Sequence, residues 1–327
     1  MRKAKGIVAI VTLLIVLTLG GFLVVFLARD SEDKKVVVTT FPIYDICREL
    51  LGSDDEILLL QDNGVDLHDF QPTASDISSI SKANLFVFIG GHSDDWVGGV
   101  VRSADNVNLK ALSLVDHVDL LHESTDNIIE GGHHHEEGEE HEHDSDCEND
   151  EHVWLSVRNM KKMAGVILEE LIKVFPHREN LLIDNYDEYV NKLDELDEEF
   201  EESLSNQVAT VVVADRFPFL YLSNDYGVDF LAAYHGCSSD TQASANLILE
   251  LIEKVNEEQL NYICVLDGSN RTIARSVVED SRCRRGVEIL ELNSCQSVNG
   301  NLANMSYIEI MRSNLNNLRK AITNESN

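Results

Sequence analysis

The stretch VVVTTFPIYDICRELLGSDDEILLL, residues 36–60, decides how this chain folds. Val36 to Thr40 is a short apolar, β-branched run, the composition of a buried strand. Tyr44 to Leu51 spaces its apolar residues as one face of a helix, and Ile57 to Leu60 is a second buried run. Strand, helix and strand in that order imply a crossover, which sets the two strands parallel with the helix packed on their face. The pattern continues outward. Ser75–Ser81 reads as a helix and Leu85–Ile89 as a third strand.

A second array of the same kind follows later in the chain. Ala209–Ala214, Val228–Ala233, Tyr262–Leu266 and Glu288–Leu292 read as strands. Phe219–Tyr226, Ala245–Glu258, Thr272–Asp280 and Tyr307–Ile322 read as the helices between and after them. Between the arrays, Arg158–Phe175 has helical periodicity and stops before Pro176. Asn180–Leu204 then carries Tyr186, Tyr189, Leu193, Leu196, Phe200 and Leu204 as one apolar stripe, with Asp and Glu on most other positions. The expected fold class is α/β: two parallel-sheet lobes joined by one long helix, with a cleft facing the carboxyl ends of strands. The expected organisation is an N-terminal segment 1–34, a first lobe 35–177, a connecting helix 178–206 and a second lobe 207–327.

Residues 122–152, HESTDNIIEGGHHHEEGEEHEHDSDCENDEH, fit no packed core. They hold seven of the 12 histidines and thirteen carboxylates without one Lys or Arg. Burying carboxylates without partners costs several kcal/mol each, so the bulk of this tract is expected to be a solvated loop. A merely solubilising loop accounts for the acids but not for HHH and HEH, which point to metal contact. At Glu151-His152-Val153-Trp154-Leu155 charge gives way to an apolar run, so His152 stands at the edge of folded structure.

The net charge of −32 makes nucleic acid a poor partner and divalent cations a good one. Cys47, Cys147, Cys237, Cys264, Cys283 and Cys295 show no CxxC or zinc-knuckle spacing and are expected to be mostly small core residues. At the start, Arg2, Lys3 and Lys5 precede Gly6–Ala28, twenty-three residues without a charge. As a helix that run is about 35 Å long, enough to cross a bilayer. The basic flank leaves the N-terminus inside and the bulk of the chain outside. The run is too long for an ordinary signal peptide and no lipid-accepting cysteine follows it, so it reads as an uncleaved cell-membrane anchor.

His68 lies in GVDLHDFQPTASDI, residues 64–77, with Asp66 and Asp69 beside it. A carboxylate beside an imidazole is the usual support for a metal-binding histidine. This stretch, VVVTTFPIYDI, LFVFIGGHSDDWV at 85–97, EHVWLSV at 151–157 and SYIEIMRSNL at 306–315 together resemble the extracytoplasmic solute-binding subunits of bacterial ABC importers for zinc and manganese. The resemblance runs from Lys35 to Ile322. It implies a monomeric binding protein, a single divalent metal in the cleft and an ABC permease as partner. It also implies that His68 and His152 are the first lobe's ligands. The family's third ligand sits in a motif like SHxAFxYL; here ADRFPFLYL, residues 214–222, puts Arg216 at that place, and a guanidinium cannot bind metal. Asp215 is the expected replacement. For the fourth, after the last strand, Asn293 is the candidate in Asn293-Ser294-Cys295-Gln296, with Cys295 and His235 as alternatives.

Zinc is favoured by the imidazoles, with manganese the alternative that oxygen ligands would favour. No HExxH, GxSxG or other nucleophile motif is present, so an enzyme is not expected. A surface adhesion protein using the metal structurally is the remaining rival, because one fold serves many roles.

Overall fold

In a computed structural model, the residues described are 35–61, 66–123, 128, 149–205, 209–236, 244–283, 286–296 and 305–324. The first sheet is wholly parallel, in the order β2-β1-β3-β4, with β1 Val36–Val38, β2 Ile57–Leu59, β3 Leu85–Phe88 and β4 Lys110–Ser113. Its helices are α1 Phe41–Leu51, α2 Ala74–Lys82 and α3 Val97–Ser103, followed by α4 Val157–Val174. The second sheet repeats that order as β6-β5-β7-β8, with β5 Val211–Phe217, β6 Phe230–His235, β7 Tyr262–Leu266 and β8 Glu288–Leu292.

The long helix α5, Glu179–Leu204, joins the two. Its 26 residues reach about 39 Å at about 1.5 Å per residue. Leu182, Tyr189, Leu193, Leu196, Phe200 and Leu204 are its buried face, against α1 and α4 on one side and the C-terminal helix Tyr307–Thr323 on the other. That stripe buries the apolar side while the acids stay in water, so one helix serves both lobes. Helices α6 Leu220–Tyr226, α7 Ala245–Glu258, α8 Thr272–Asp280 and α9 Tyr307–Thr323 complete the second lobe.

Polar contacts cross between the lobes at buried points. Trp154 Nε1–H donates to the Ser294 carbonyl at 2.8 Å, and Tyr307 O–H donates to the Trp154 carbonyl at 2.7 Å. Asp45, fully buried, accepts from the Tyr307 N–H at 3.1 Å. Burial pushes its carboxyl up to about 6, with Arg48 beside it pulling the other way. A carboxyl that holds its proton longer when folded stabilises the fold below its unfolded value near 3.8 and loses that contribution as pH rises through about 6. Asp45→Asn is therefore expected to flatten this part of the pH–stability profile, read by urea unfolding between about pH 4 and about pH 7. An unchanged slope in the variant would rule the assignment out.

Among the described residues no helix is long and apolar enough to cross a membrane. The apolar run Gly6–Ala28, the interior of the His-rich tract, Cys147 and Cys237 lie outside the described residues. Cys47, Cys264, Cys283 and Cys295 are free thiols, three of them buried.

Candidate metal centre

Parallel strands give each lobe a polarity, and the first lobe's histidines come from its carboxyl end. His68 sits in a short 3₁₀ turn, Leu67–Asp69, after β2. Asp66 starts that turn, its Oδ1 accepting from the His68 N–H at 3.0 Å. His152 precedes a second such turn, Val153–Leu155, whose apolar side chains are all fully buried. The tract that leads there is pinched at its neck by an antiparallel bridge, His122 to Asn149. Ile128, just inside it, bridges to Ala232 on the edge strand β6 of the other lobe.

The two imidazoles meet edge to face, with ring centroids 5.4 Å apart. Each is held at Nδ1 by a carboxylate. His152 Nδ1–H donates to Asp150 Oδ1 at 2.8 Å, and the same oxygen accepts the His152 N–H at 2.7 Å. His152 is 2% exposed; burial lowers its pKa, but the charge and hydrogen bond of Asp150 together with the charges of Glu151 and Glu123 outweigh that, and the net shift is upward. His68 Nδ1 lies 3.1 Å from Glu151 Oε1 and 2.9 Å from Ser93 Oγ. Ser93 in turn donates to Glu151 from Oγ and from its N–H. Burial raises the Glu151 carboxyl, yet the hydrogen bonds from His68 and Ser93 bring it below its ordinary value. Nearby Asp94 goes the other way, pushed up to about 7 by burial and by the charge of Glu151.

With both Nδ1 atoms occupied by N–H donation, the Nε2 lone pairs are what the rings present. His68 Nε2 is buried and has no hydrogen-bond partner. A buried acceptor left unpaired is costly, and a cation is the natural occupant of that lone pair. The pairing of carboxylate and imidazole, made twice, with an open Nε2 on His68, is that of a divalent-metal site's first half.

Glu151 was not among the candidate residues, and it, not Asp66 or Asp69, supports the His68 ring. The available signal was its place beside His152 where charge gives way to core. Gly91 shows how tightly it is held: at φ +84°, a Cβ there would come within 2.6 Å of Glu151 Oε2. Gly91→Ala is expected to displace the Glu151 carboxylate, cost about 1–3 kcal/mol in strain and unpaired polar groups, and loosen His68. A thermal melt paired with a metal titration would check this; a variant matching the parent in both would refute it.

From the second lobe, β5 continues through Phe217 instead of ending at Ala214. Its pairing with β6 shifts between Val213 and Arg216, a bulge that sets Ala214 and Asp215 opposite one residue. The bulge turns Arg216 across the cleft, where Nη2 donates to Asp66 Oδ2 at 2.5 Å. The Asp215 carboxylate accepts from the Arg216 N–H at 2.9 Å. Asn293 is buried, and its Oδ1 accepts from the Cys295 N–H at 2.7 Å, which spends the oxygen expected to face a metal. Cys295 is fully buried and burial pushes its thiol well up. Gln296 reaches the other lobe, its Oε1 accepting from the Leu67 N–H at 3.3 Å. His235 ends β6 beside the site: a Cβ on Gly236 would sit 3.3 Å from His152 Cε1. Among the described residues no three His, Cys, Asp or Glu side chains converge closely enough to hold a metal. The structure thus brings His68 and His152 together, and does not bring Asp215 or Asn293 to them.

A family model described as "ZnuA: Zinc-uptake complex component A periplasmic" matches residues 36–321. The zinc-binding protein AdcA of Streptococcus pyogenes serotype M3 is 29% identical over 301 residues, covering 88% of this chain and 56% of AdcA. The chain thus spans little more than half the length of that relative. The high-affinity zinc uptake system protein ZnuA of Bacillus subtilis is 25% identical over 304 residues, covering 90% of each chain. The Zn(II)-bound ZnuA-like domain of Streptococcus pneumoniae AdcA superposes with a TM-score of 0.70 at 25% identity, covering 88% of this chain and 98% of that domain.

Proposed function

This chain belongs to the ZnuA family of periplasmic zinc-uptake components, and from that premise we propose that it captures zinc outside the membrane and delivers it to an ABC permease. The observation that carries the reading is the pair His68 and His152, each fixed at Nδ1 by a carboxylate, with His68 Nε2 buried and unpartnered. Two imidazoles favour zinc over manganese, since nitrogen is the softer donor. They also give a site that opens on one side, as a carrier that must release its cargo needs.

The second lobe completes the coordination when it closes. Asp215 is its carboxylate candidate, and His235 gains support from the approach of Gly236 to His152. Asn293 serves better as the turn residue that carries Gln296 across to the His68 loop. Gly6–Ala28 anchors the chain in the cell membrane and leaves the remainder outside.

The His-rich tract collects metal without forming the tight site. Its neck is closed by the His122–Asn149 bridge and Ile128 is tied to Ala232, so a deletion that keeps both contacts, residues 129–148, puts little strain on the lobes. Calorimetric titration of the parent with zinc is expected to give one tight equivalent and several weak ones. A deletion of residues 129–148 is expected to keep the tight equivalent and lose the weak ones. If a deletant that melts like the parent lacks the tight equivalent, the site lies in the tract and the reading fails.

A further inference from the structure

At the pole opposite the histidines, three lysines gather around one recess. Lys35, Asn84 and Lys110 stand side by side at the amino ends of β1, β3 and β4. The Lys35 carbonyl accepts from the Asn84 N–H, and the Asn84 carbonyl accepts from the Lys110 N–H, both at 2.9 Å. With Asn108, Glu170, Lys173 and Val174 they line a recess of about 630 Å³. Lys173 lies in the last turn of α4, where a cation suits the helix's carboxyl end.

The carboxylates there do not use up these cations. Lys173 Nζ bonds Glu170 Oε1 at 3.0 Å, but Lys110 Nζ lies 4.0 Å from the same oxygen and Lys35 Nζ lies 3.7 Å from Glu56. Those two distances are ion pairs without hydrogen bonds, so both ammoniums keep their donors for another acceptor. Glu56 is bonded more closely, at 2.5 Å, by Arg178. Around the recess itself three lysines face one carboxylate, Glu170, a local excess of positive charge in a chain whose net charge is −32. Ammonium and amide donors around one recess match a phosphate group.

Its place in the chain names the source of that phosphate. Lys35 directly follows the segment that holds Gly6–Ala28, so the fold meets its anchor at this pole. We infer that the recess of Lys35, Lys110 and Lys173 seats phosphate headgroups of anionic lipid, standing the protein on the bilayer with its metal cleft turned away. The acidic remainder is repelled by the same surface, which sharpens the orientation. This inference rests on the anchoring proposed above.

The test uses the full chain in nanodiscs of phosphatidylcholine alone or mixed with phosphatidylglycerol, with hydrogen exchange followed in peptides over Asn106–Ser113 and Glu170–Phe175. Phosphatidylglycerol is expected to slow exchange there by about fivefold or more, the effect of roughly one ammonium at an anionic surface, and to leave β6–β8 unchanged. Joint Lys35→Gln, Lys110→Gln and Lys173→Gln substitutions are expected to abolish the difference, while the three Lys→Arg substitutions keep it. Slowing by inorganic phosphate in detergent micelles, with no lipid dependence, would keep the site and overturn its lipid source. Equal exchange in both nanodiscs and with phosphate overturns the inference. A chain that enters neither nanodisc refutes the anchoring instead, and the phosphate arm alone then decides whether the recess is a site.

Discussion

His152→Ala is expected to weaken zinc binding by about tenfold at the least, the scale set by losing even a ligand's support, and to leave no tight equivalent in a titration. The side chain is fully enclosed, so its removal empties a space walled by Trp154, whose ring centroid lies 5.3 Å away, and by the Gly236 backbone. It also leaves Asp150 buried with a charge that His152 Nδ1–H no longer meets. Stability therefore falls together with affinity, by about 2–4 kcal/mol from cavity and unpaired charge combined, and the two effects need separating. Asp150→Asn separates them. It keeps the volume and the acceptor oxygen but removes the charge, so it is expected to cost affinity with a smaller loss in melting temperature. His68→Ala offers a second check, because His68 is part-exposed in its turn and its loss opens less of the core. Should either alanine variant, folded by its melt, bind zinc as tightly as the parent, the assignment of the two ligands is wrong.

The elements that were legible before the fold was seen are those whose pattern is local and strong. The stripe of α5 follows from three- and four-residue spacing, and α7, β7 and β8 follow from runs bounded by polar residues. Two elements of the first lobe were not legible. β4, Lys-Ala-Leu-Ser, is an edge strand with one buried residue, so it carries no apolar run, and α3 contains Gly98 and Gly99, which weaken any helical pattern. The site divides in the same way. His68 and His152 were legible because each stands in a short local motif. Asp150, which holds His152, is two residues away, but the parts that hold His68 come from far away in sequence: Glu151, Ser93 from the loop after β3, and Arg216 and Gln296 from the other lobe. The bulge that aims Arg216 depends on pairing with β6, which no window around Ala214–Phe217 contains.

Arg216→Ala is expected to weaken zinc binding by about tenfold, or 1.4 kcal/mol, although Arg216 binds no metal. A guanidinium near a dication repels it, which by itself would give the opposite sign. At 2.5 Å from Asp66 Oδ2 that charge is largely compensated, and a metal at His68 meets a pair instead of a free cation. The loss of support is the larger effect. Asp66 uses its other oxygen to fix the His68 N–H; burial raises its carboxyl, but the hydrogen bond and charge of Arg216 together with His68 overcome that and hold it below its ordinary value. Removing Arg216 frees that carboxylate and loosens the His68 turn from the second lobe, with Gln296, among the described residues, still spanning the cleft there. Asp66→Asn is expected to cost more, because it takes the facing negative charge from a partly buried guanidinium that stands before an incoming dication. Arg216→Lys keeps the charge but not the planar reach across the cleft, and is expected to fall between parent and alanine. The double variant Asp66→Asn with Arg216→Ala decides whether the two act as one unit. If they do, its zinc affinity is no worse than that of Asp66→Asn alone, and X-ray scattering of the metal-free protein shows a wider cleft in all three variants that break the pair. Losses that simply add, with no change in scattering, would show that Arg216 and Asp66 act separately and that the lobes are held together elsewhere.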